Sequence, residues 1–490
     1  EIETNEGILS HKSSNNSAGY GDMAAAATKV EIPEEVELKE KNEFKIVGTS
    51  RKNVDGKKIV TGKPLYGLDY QREGMLIAMI VHPPAFGKKL GTFNDSKARS
   101  MPGIKDIFTI KTYNEDGVKA WCDVGAFNDL VVVVGDTTWE VMQAKKALEL
   151  EWELLPKGEN KVGTFWGTTV TENVPSGLEN TSDHIKLMAE VGYKNAKVVR
   201  KDGNTITAFK NAARIIERTY TCPFLAHNCM EPMNFFAHVT EDKADLVGPI
   251  QTPEFMEQSI AKRFDMPVEK IDIMMTRQGG GFGRRLYGHF LVEAAVISKK
   301  LNAPVKLIYT REDDMTNGVY RPAYHATYKA AIDENNKVTG FHVIAGGIPE
   351  SPLMANRFPA GAIDNYLAEE WSLDSNITVG AFRAPRSNFI AGAEQSFIDE
   401  LAEEIGEDPI QFRLDLLEKA KNNPVGDNND YDAERYAGVL ELVRKTSNWD
   451  SSSSSASRGV SAYYCHNSYV AQVLDLEMVD NNPQITDVFC

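Results

Sequence analysis

The residues best suited to chemistry lie in one short string, Arg277-Gln278-Gly279-Gly280-Gly281-Phe282-Gly283-Arg284-Arg285. It follows the apolar run Ile271 to Met275, which reads as a strand, and it precedes an apolar helix from Phe290 to Leu301. A glycine-rich link between strand and helix bares backbone N–H groups where the helix dipole favours an anion. The string is not a P-loop, because no Gly-Lys-Ser/Thr follows. Nor is it a dinucleotide fingerprint, because Arg284 stands where glycine is needed. Three glycines before Phe282-Gly283 imply a backbone pressed against something flat or bulky; the alternative is a tight turn with no ligand. Arg284 and Arg285 can pair with phosphate or carboxylate, or be solvated and bridge to acidic neighbours. Gln251 stands after a strand and before the Pro-capped helix of Thr252-Pro253, where α/β proteins keep ligands; a turn or capping role is the alternative. Cys222, His227 and Cys229 cluster, but a metal site there needs a fourth ligand from elsewhere. The acidic loop Asp427 to Glu434 lacks the EF-hand glycine. No Gly-x-Ser-x-Gly or His-Glu-x-x-His occurs, which removes the simplest hydrolase chemistries.

The composition bounds what can position these residues. With 42% hydrophobic and 25% charged side chains, the 490-residue chain is ordinary globular material with room for three or so domains. A net charge of −16 argues against nucleic-acid binding. Five scattered cysteines without a Cys-x-x-Cys pair exclude a disulfide framework, a zinc ribbon and a self-contained iron–sulfur site. The longest apolar runs, such as Met75 to Val81, fall short of the roughly 18–20 residues that span a bilayer.

Along the chain, residues 1–47 read as a polar N-terminal arm. Residues 48–155 read as a compact α/β unit, with strands at Met75–Val81, Ile104–Ile110 and Leu130–Val134 and a helix capped by Thr137 and Glu140. A linker is expected over 156–204, with room for one helix. A larger domain follows over 205–447, with strands at Leu246–Ile250 and Val305–Tyr309. Its later helices run from Ala393 to Ile405, ended by Gly406, and from Asp408-Pro409 through Leu417. The serine run 451–455 reads as a flexible loop, and 448–490 as the start of a further domain.

Taken together, these motifs resemble one family. Gln278 to Gly283 is similar to the molybdopterin-contacting loop of xanthine dehydrogenase and aldehyde oxidase large subunits. Gly380-Ala381-Phe382-Arg383-Ala384-Pro385, before a helix carrying Glu394, Phe397, Ile398, Asp399 and Glu400, resembles their second cofactor segment. Gly283 to Leu286, Tyr309 to Met315, Tyr320-Arg321-Pro322, Pro223 to His227 and Met230 to Met233 resemble the isoquinoline 1-oxidoreductase beta-subunit branch.

The resemblance implies an α+β protein: a hammerhead α/β domain at 48–155, then a molybdopterin-binding α+β domain. It implies a molybdenum hydroxylase acting on an aldehyde or N-heterocyclic carbon, with water as oxygen source. The cofactor implied is molybdopterin, in its cytosine dinucleotide form, carrying molybdenum held by no protein side chain. Electrons would leave through a partner subunit with [2Fe-2S] clusters, in the periplasm or alternatively the cytoplasm. By motif position, Gly280, Gly281, Phe282, Gly283, Arg284, Phe382 and Arg383 would bind the cofactor. Gln251, the one catalytic residue assigned, would hydrogen-bond an oxygen ligand of the metal. The family's general base lies in a Gly-x-Gly-Glu segment, and none occurs here; Glu231 and Glu394 sit where the family uses carboxylates for packing. Leu286-Tyr287-Gly288 stands where several members place a substrate-binding carboxylate. The chain therefore reads as an internal piece of a longer polypeptide, expected to be inactive alone. The alternative is a split cofactor-binding subunit with no activity of its own.

Overall fold

The strand Leu76–Val81 and the run Leu130–Val134 of the strand Asp129–Gly135 are unbroken apolar stretches, so each must be covered on both faces. The computed structural model, which describes residues 2–113, 118–123, 125, 127–191, 194, 196–451 and 457–490, shows how. Both are interior strands of a seven-stranded mixed sheet. Its order is Ile271–Met275, Ala244–Gly248, Asn234–Val239, Val305–Ile308, Leu76–Val81, Asp129–Gly135, Ile104–Lys111. Alternate residues serve opposite layers. Ile77, Met79, Val131 and Val133 pack with Val141 and Ala144 of the helix Thr138–Ala147. Ala78, Ile80, Val132 and Val134 share a core with Phe290, Leu291 and Ala294 of the helix His289–Leu301.

This sheet crosses the expected boundary between 48–155 and 205–447. Leu76–Val81 pairs in parallel with Val305–Ile308, so the first α/β unit and the larger domain share one sheet. The physical reason is the unbroken apolar run Leu76–Val81, which demands neighbours on each side but does not name them.

A second sheet of five strands runs Lys197–Asp202, Tyr366–Ser372, Val338–Ile348, Ala323–Ile332, Arg214–Cys222. It packs beneath the helix Ser387–Ile405, whose Phe397, Ile398 and Leu401 join the largest core. That helix begins six residues before the expected Ala393 and ends at Gly406, φ +76°. The stretch expected as a linker supplies a hairpin (Gly158–Gly163, Thr169–Val174), a helix (Thr181–Val191) and the outer strand Lys197–Asp202. The C-terminal strands Ser457–Cys465, Ser468–Val479 and Asn482–Phe489 form an antiparallel meander. Residues 452–455 of the serine run lie outside the described residues.

Residues 1–63 form a separate unit. In place of an extended arm it carries a three-stranded meander, Ile2–Asn5, Ile8–His11 and Asn16–Gly19, and the helix Tyr20–Ala27, none of which buries a residue. Among the described residues no helix is long and apolar enough to cross a membrane.

Candidate functional site

The glycine string leaves the end of strand Ile271–Met275 and returns to the core through a 3-10 turn, Arg284–Leu286. Two consecutive arginines anchor it in opposite directions. The Arg285 guanidinium is fully buried; Nε donates to Gly280 O at 2.7 Å, and Nη2 donates to Glu231 O at 2.7 Å and Glu231 Oε2 at 3.2 Å. The Glu231 carboxylate also accepts from Gly279 N (2.8 Å), Leu68 N (3.1 Å) and Asn234 Nδ2 (3.0 Å). Glu231 N in turn donates to Gly279 O at 3.0 Å. One buried ion pair therefore fixes Gly279 and Gly280, where the glycine run begins.

Arg284 corrects the expectation that it touches a cofactor. Its N–H donates to Gly281 O at 2.8 Å, and its side chain, 1% exposed, turns inward. There the guanidinium lies 3.3 Å from His289 Nε2 and 3.6 Å from Asp314 Oδ1. Gly283, at φ +102°, makes the turn that buries it. Burial and the Arg284 charge push His289 down, so its imidazole is neutral and accepts from the guanidinium.

Deeper in the same layer Glu293, fully enclosed, accepts from Tyr309 OH at 2.5 Å, and burial pushes its carboxyl up to about 8. A carboxyl whose folded value lies above its unfolded one is protonated in the fold and ionised in the open chain between those two values. The unfolded chain then binds fewer protons, so stability falls as pH rises from about 4.5 to about 8. Glu293→Gln is expected to raise the melting temperature at pH 8 and to leave it nearly unchanged at pH 4. A thermal melt series across that range checks this; a constant offset at every pH would refute it.

The second segment meets the loop directly. Arg383 N donates to Phe282 O at 2.7 Å, and a Cβ on Gly283 would stand 2.1 Å from Ala381 O. The Phe382 ring lies 4.8 Å from the His227 ring, with the Arg321 guanidinium 5.8 Å away. Three non-glycine residues here hold positive φ: Phe282 (+54°), Ala384 (+54°) and Arg386 (+63°). Such strain concentrates where a backbone is shaped for a ligand. The Gln251 amide comes to the loop as well, its Oε1 lying 3.3 Å from where a Gly281 Cβ would be. Gln251 N donates to Arg285 O at 2.9 Å, which fixes its register.

His227 and Cys229 do not form a metal site with Cys222, and no group of three metal-ligating side chains occurs among the described residues. His227 Nε2 faces Ala381 O at 2.8 Å, and Cys229 Sγ lies 3.5 Å from Gly281 O. Burial pushes His227 down to about 4 and the Cys229 thiol up. This stretch is scaffolding for both loops. Tyr287, to which no role was assigned from sequence, links them through Ala381 N–H, which donates to its hydroxyl at 2.7 Å.

Among the described residues no hydrogen bond uses the N–H of Gly280, Gly281, Phe282 or Gly283. Four successive free donors, with no side chain on three of them, suit an acceptor-rich, flat organic group. The Arg383 guanidinium, exposed and without an ion pair among the described residues, suits an anion beside it.

Comparison with known proteins agrees. Residues 189–416 match the molybdopterin cofactor-binding domain. That match covers a little under half of the chain, which is also similar in sequence to proteins described as molybdenum-binding oxidoreductase subunits. The chain is 26% identical over 465 residues to a "membrane-bound aldehyde dehydrogenase [pyrroloquinoline-quinone]" of Gluconacetobacter polyoxogenes, covering 89% of this chain and 57% of that one. It is 23% identical over 550 residues to isoquinoline 1-oxidoreductase subunit beta of Brevundimonas diminuta, covering 100% and 65%. The crystal structure of quinoline 2-oxidoreductase from Pseudomonas putida 86 shares the fold, with a TM-score of 0.61, 17% identity, and coverage of 85% and 57%. The chain thus spans less than two thirds of the length of these proteins.

Proposed function

We propose that this chain is the cofactor-binding core of a molybdenum-dependent oxidoreductase that hydroxylates an electron-poor carbon of an aldehyde or N-heterocycle with water. The observation that carries this reading is the run of unpaired N–H groups at 280–283 beside the Phe382-Arg383 segment. When bound there, molybdopterin supplies the metal centre that takes up the two electrons of the oxidation. The chain's own work is binding and orientation. The 280–283 backbone donates to the group's acceptors, and Arg383 meets the phosphate of a cytosine dinucleotide form. Phe382 offers a flat face to a planar substrate, and Gln251 orients a polar atom next to Gly281.

Glu231 touches the loop but is held by four donors, so it anchors the backbone and is not free to move protons. The scattered cysteines support electron exit through a separate iron–sulfur subunit, and the setting proposed with it, by family resemblance alone, is the periplasm or alternatively the cytoplasm.

The test is metal and pterin analysis of the natively purified protein, with a panel of aldehydes and N-heterocycles and an artificial electron acceptor. Molybdenum with substrate oxidation is expected. A protein without molybdenum, or one holding a quinone instead, overturns the reading. In the holoprotein Gln251→Ala should lower kcat roughly 10²-fold at unchanged molybdenum content, the cost of losing one positioned polar contact. Loss of the metal in that variant would refute the orienting role.

A further inference from the structure

The peptide unit of Ala381 is gripped from both sides by side chains from distant segments. Its N–H donates to Tyr287 Oη at 2.7 Å, and its C=O accepts from His227 Nε2 at 2.8 Å. Because a carbonyl faces Nε2, that nitrogen carries the hydrogen; Nδ1 is buried without a hydrogen-bond partner. The neighbouring glycines make the grip possible. A Cβ on Gly380 would lie 2.4 Å from the Tyr287 ring, and one on Gly283 would lie 2.1 Å from Ala381 O. The loop and the second segment can thus approach to backbone contact, closed by Arg383 N donating to Phe282 O at 2.7 Å. Downstream, Asn388 Nδ2 donates to Phe382 O at 3.0 Å.

We propose that Tyr287 and His227 are positioning residues: by holding the two polar groups of Ala381 they set the separation of the glycine loop and the Phe382-Arg383 segment, and hence the fit of the group bound between them. Neither side chain needs to touch that group. Tyr287 leaves the 3-10 turn of the glycine loop, and His227 lies under Phe382 with its ring 4.8 Å away. A shift of Ala381 therefore moves Phe382 and Arg383 together. The proposal rests on the molybdopterin reading for its consequence, but not for its geometry.

The experiment pairs local hydrogen exchange with metal retention in the native holoprotein. Tyr287→Phe keeps the ring against Gly380 and removes only the acceptor. Amide exchange in residues 380–384 should rise about tenfold, the upper end expected for one lost hydrogen bond. Molybdenum should leave correspondingly faster on dialysis, with the global melting temperature nearly unmoved. His227→Ala should loosen the same peptide, and His227→Gln, which retains an N–H donor, should partly restore it. A structural role alone would shift the melting temperature without that local pattern or that rescue. Unchanged exchange at 380–384 in Tyr287→Phe overturns the proposal. Wild-type protein without molybdenum would refute the cofactor reading, while the exchange measurement still decides the clamp.

Discussion

Gly283→Ala is expected to strip the holoprotein of most of its molybdenum while leaving a folded chain. Two costs coincide at this position. The backbone sits at φ +102°, outside what an L side chain readily adopts, which costs at least about 1–2 kcal/mol. The new Cβ would also fall 2.1 Å from Ala381 O and 2.7 Å from Ala381 C, both backbone atoms that no rotamer change can move aside. The two segments must separate, and that separation is borne by whatever they hold between them. Molybdenum content at least about tenfold below wild type is expected, since 1.4 kcal/mol is a factor of ten. Gly392→Ala is the control. It lies in the helix Ser387–Ile405 with nothing within 4 Å of its Cβ, so alanine should stabilise it by roughly 0.5–1 kcal/mol. Metal analysis and thermal melts of both variants check this. Full molybdenum in Gly283→Ala would mean that the contact between the two segments does not shape the site.

The glycine loop was legible in the sequence because a string with almost no side chains has few uses other than close approach. The strands Leu76–Val81 and Asp129–Gly135 were equally plain, as runs buried on both faces. The second partner of Leu76–Val81 was not. The pairing with Val305–Ile308 joins segments over two hundred residues apart, and an apolar run states that it needs a neighbour without stating which. The early start of the helix Ser387–Ile405 was hidden by Asn388 and Gly392, weak helix formers that tertiary packing of Phe389 and Ile390 overrides. Arg284 and Arg285 are chemically identical neighbours, yet one ends on Glu231 and the other among His289 and Asp314. Only the fold, by burying both, decides that neither faces the ligand. Tyr287 carried no sequence signal, because a hydroxyl that accepts from one backbone amide has no characteristic spacing.

Glu231→Ala is expected to be the most damaging single substitution around the site. It removes the carboxylate that faces the fully buried Arg285 guanidinium, orphans the donors Gly279 N and Leu68 N, and leaves Asn234 Nδ2 with Pro232 O alone. An uncompensated buried charge costs about 3–5 kcal/mol. For a domain of this size that corresponds to a fall of roughly 5–15 °C in melting temperature, and the glycine loop loses its anchor at both Gly279 and Gly280. The ion pair is not expected to be a net source of stability, since both groups were desolvated to form it. The informative variant is therefore the double one. Adding Arg285→Met to Glu231→Ala removes the stranded charge, so the second substitution should cost far less than Arg285→Met does alone. Thermal melts of the wild type, both single variants and the double variant give that coupling directly, and strictly additive losses would refute it. Molybdenum content should remain low in the double variant even where stability partly returns. The loop needs Gly279 N and Gly280 O held in place, and methionine offers them no polar partner.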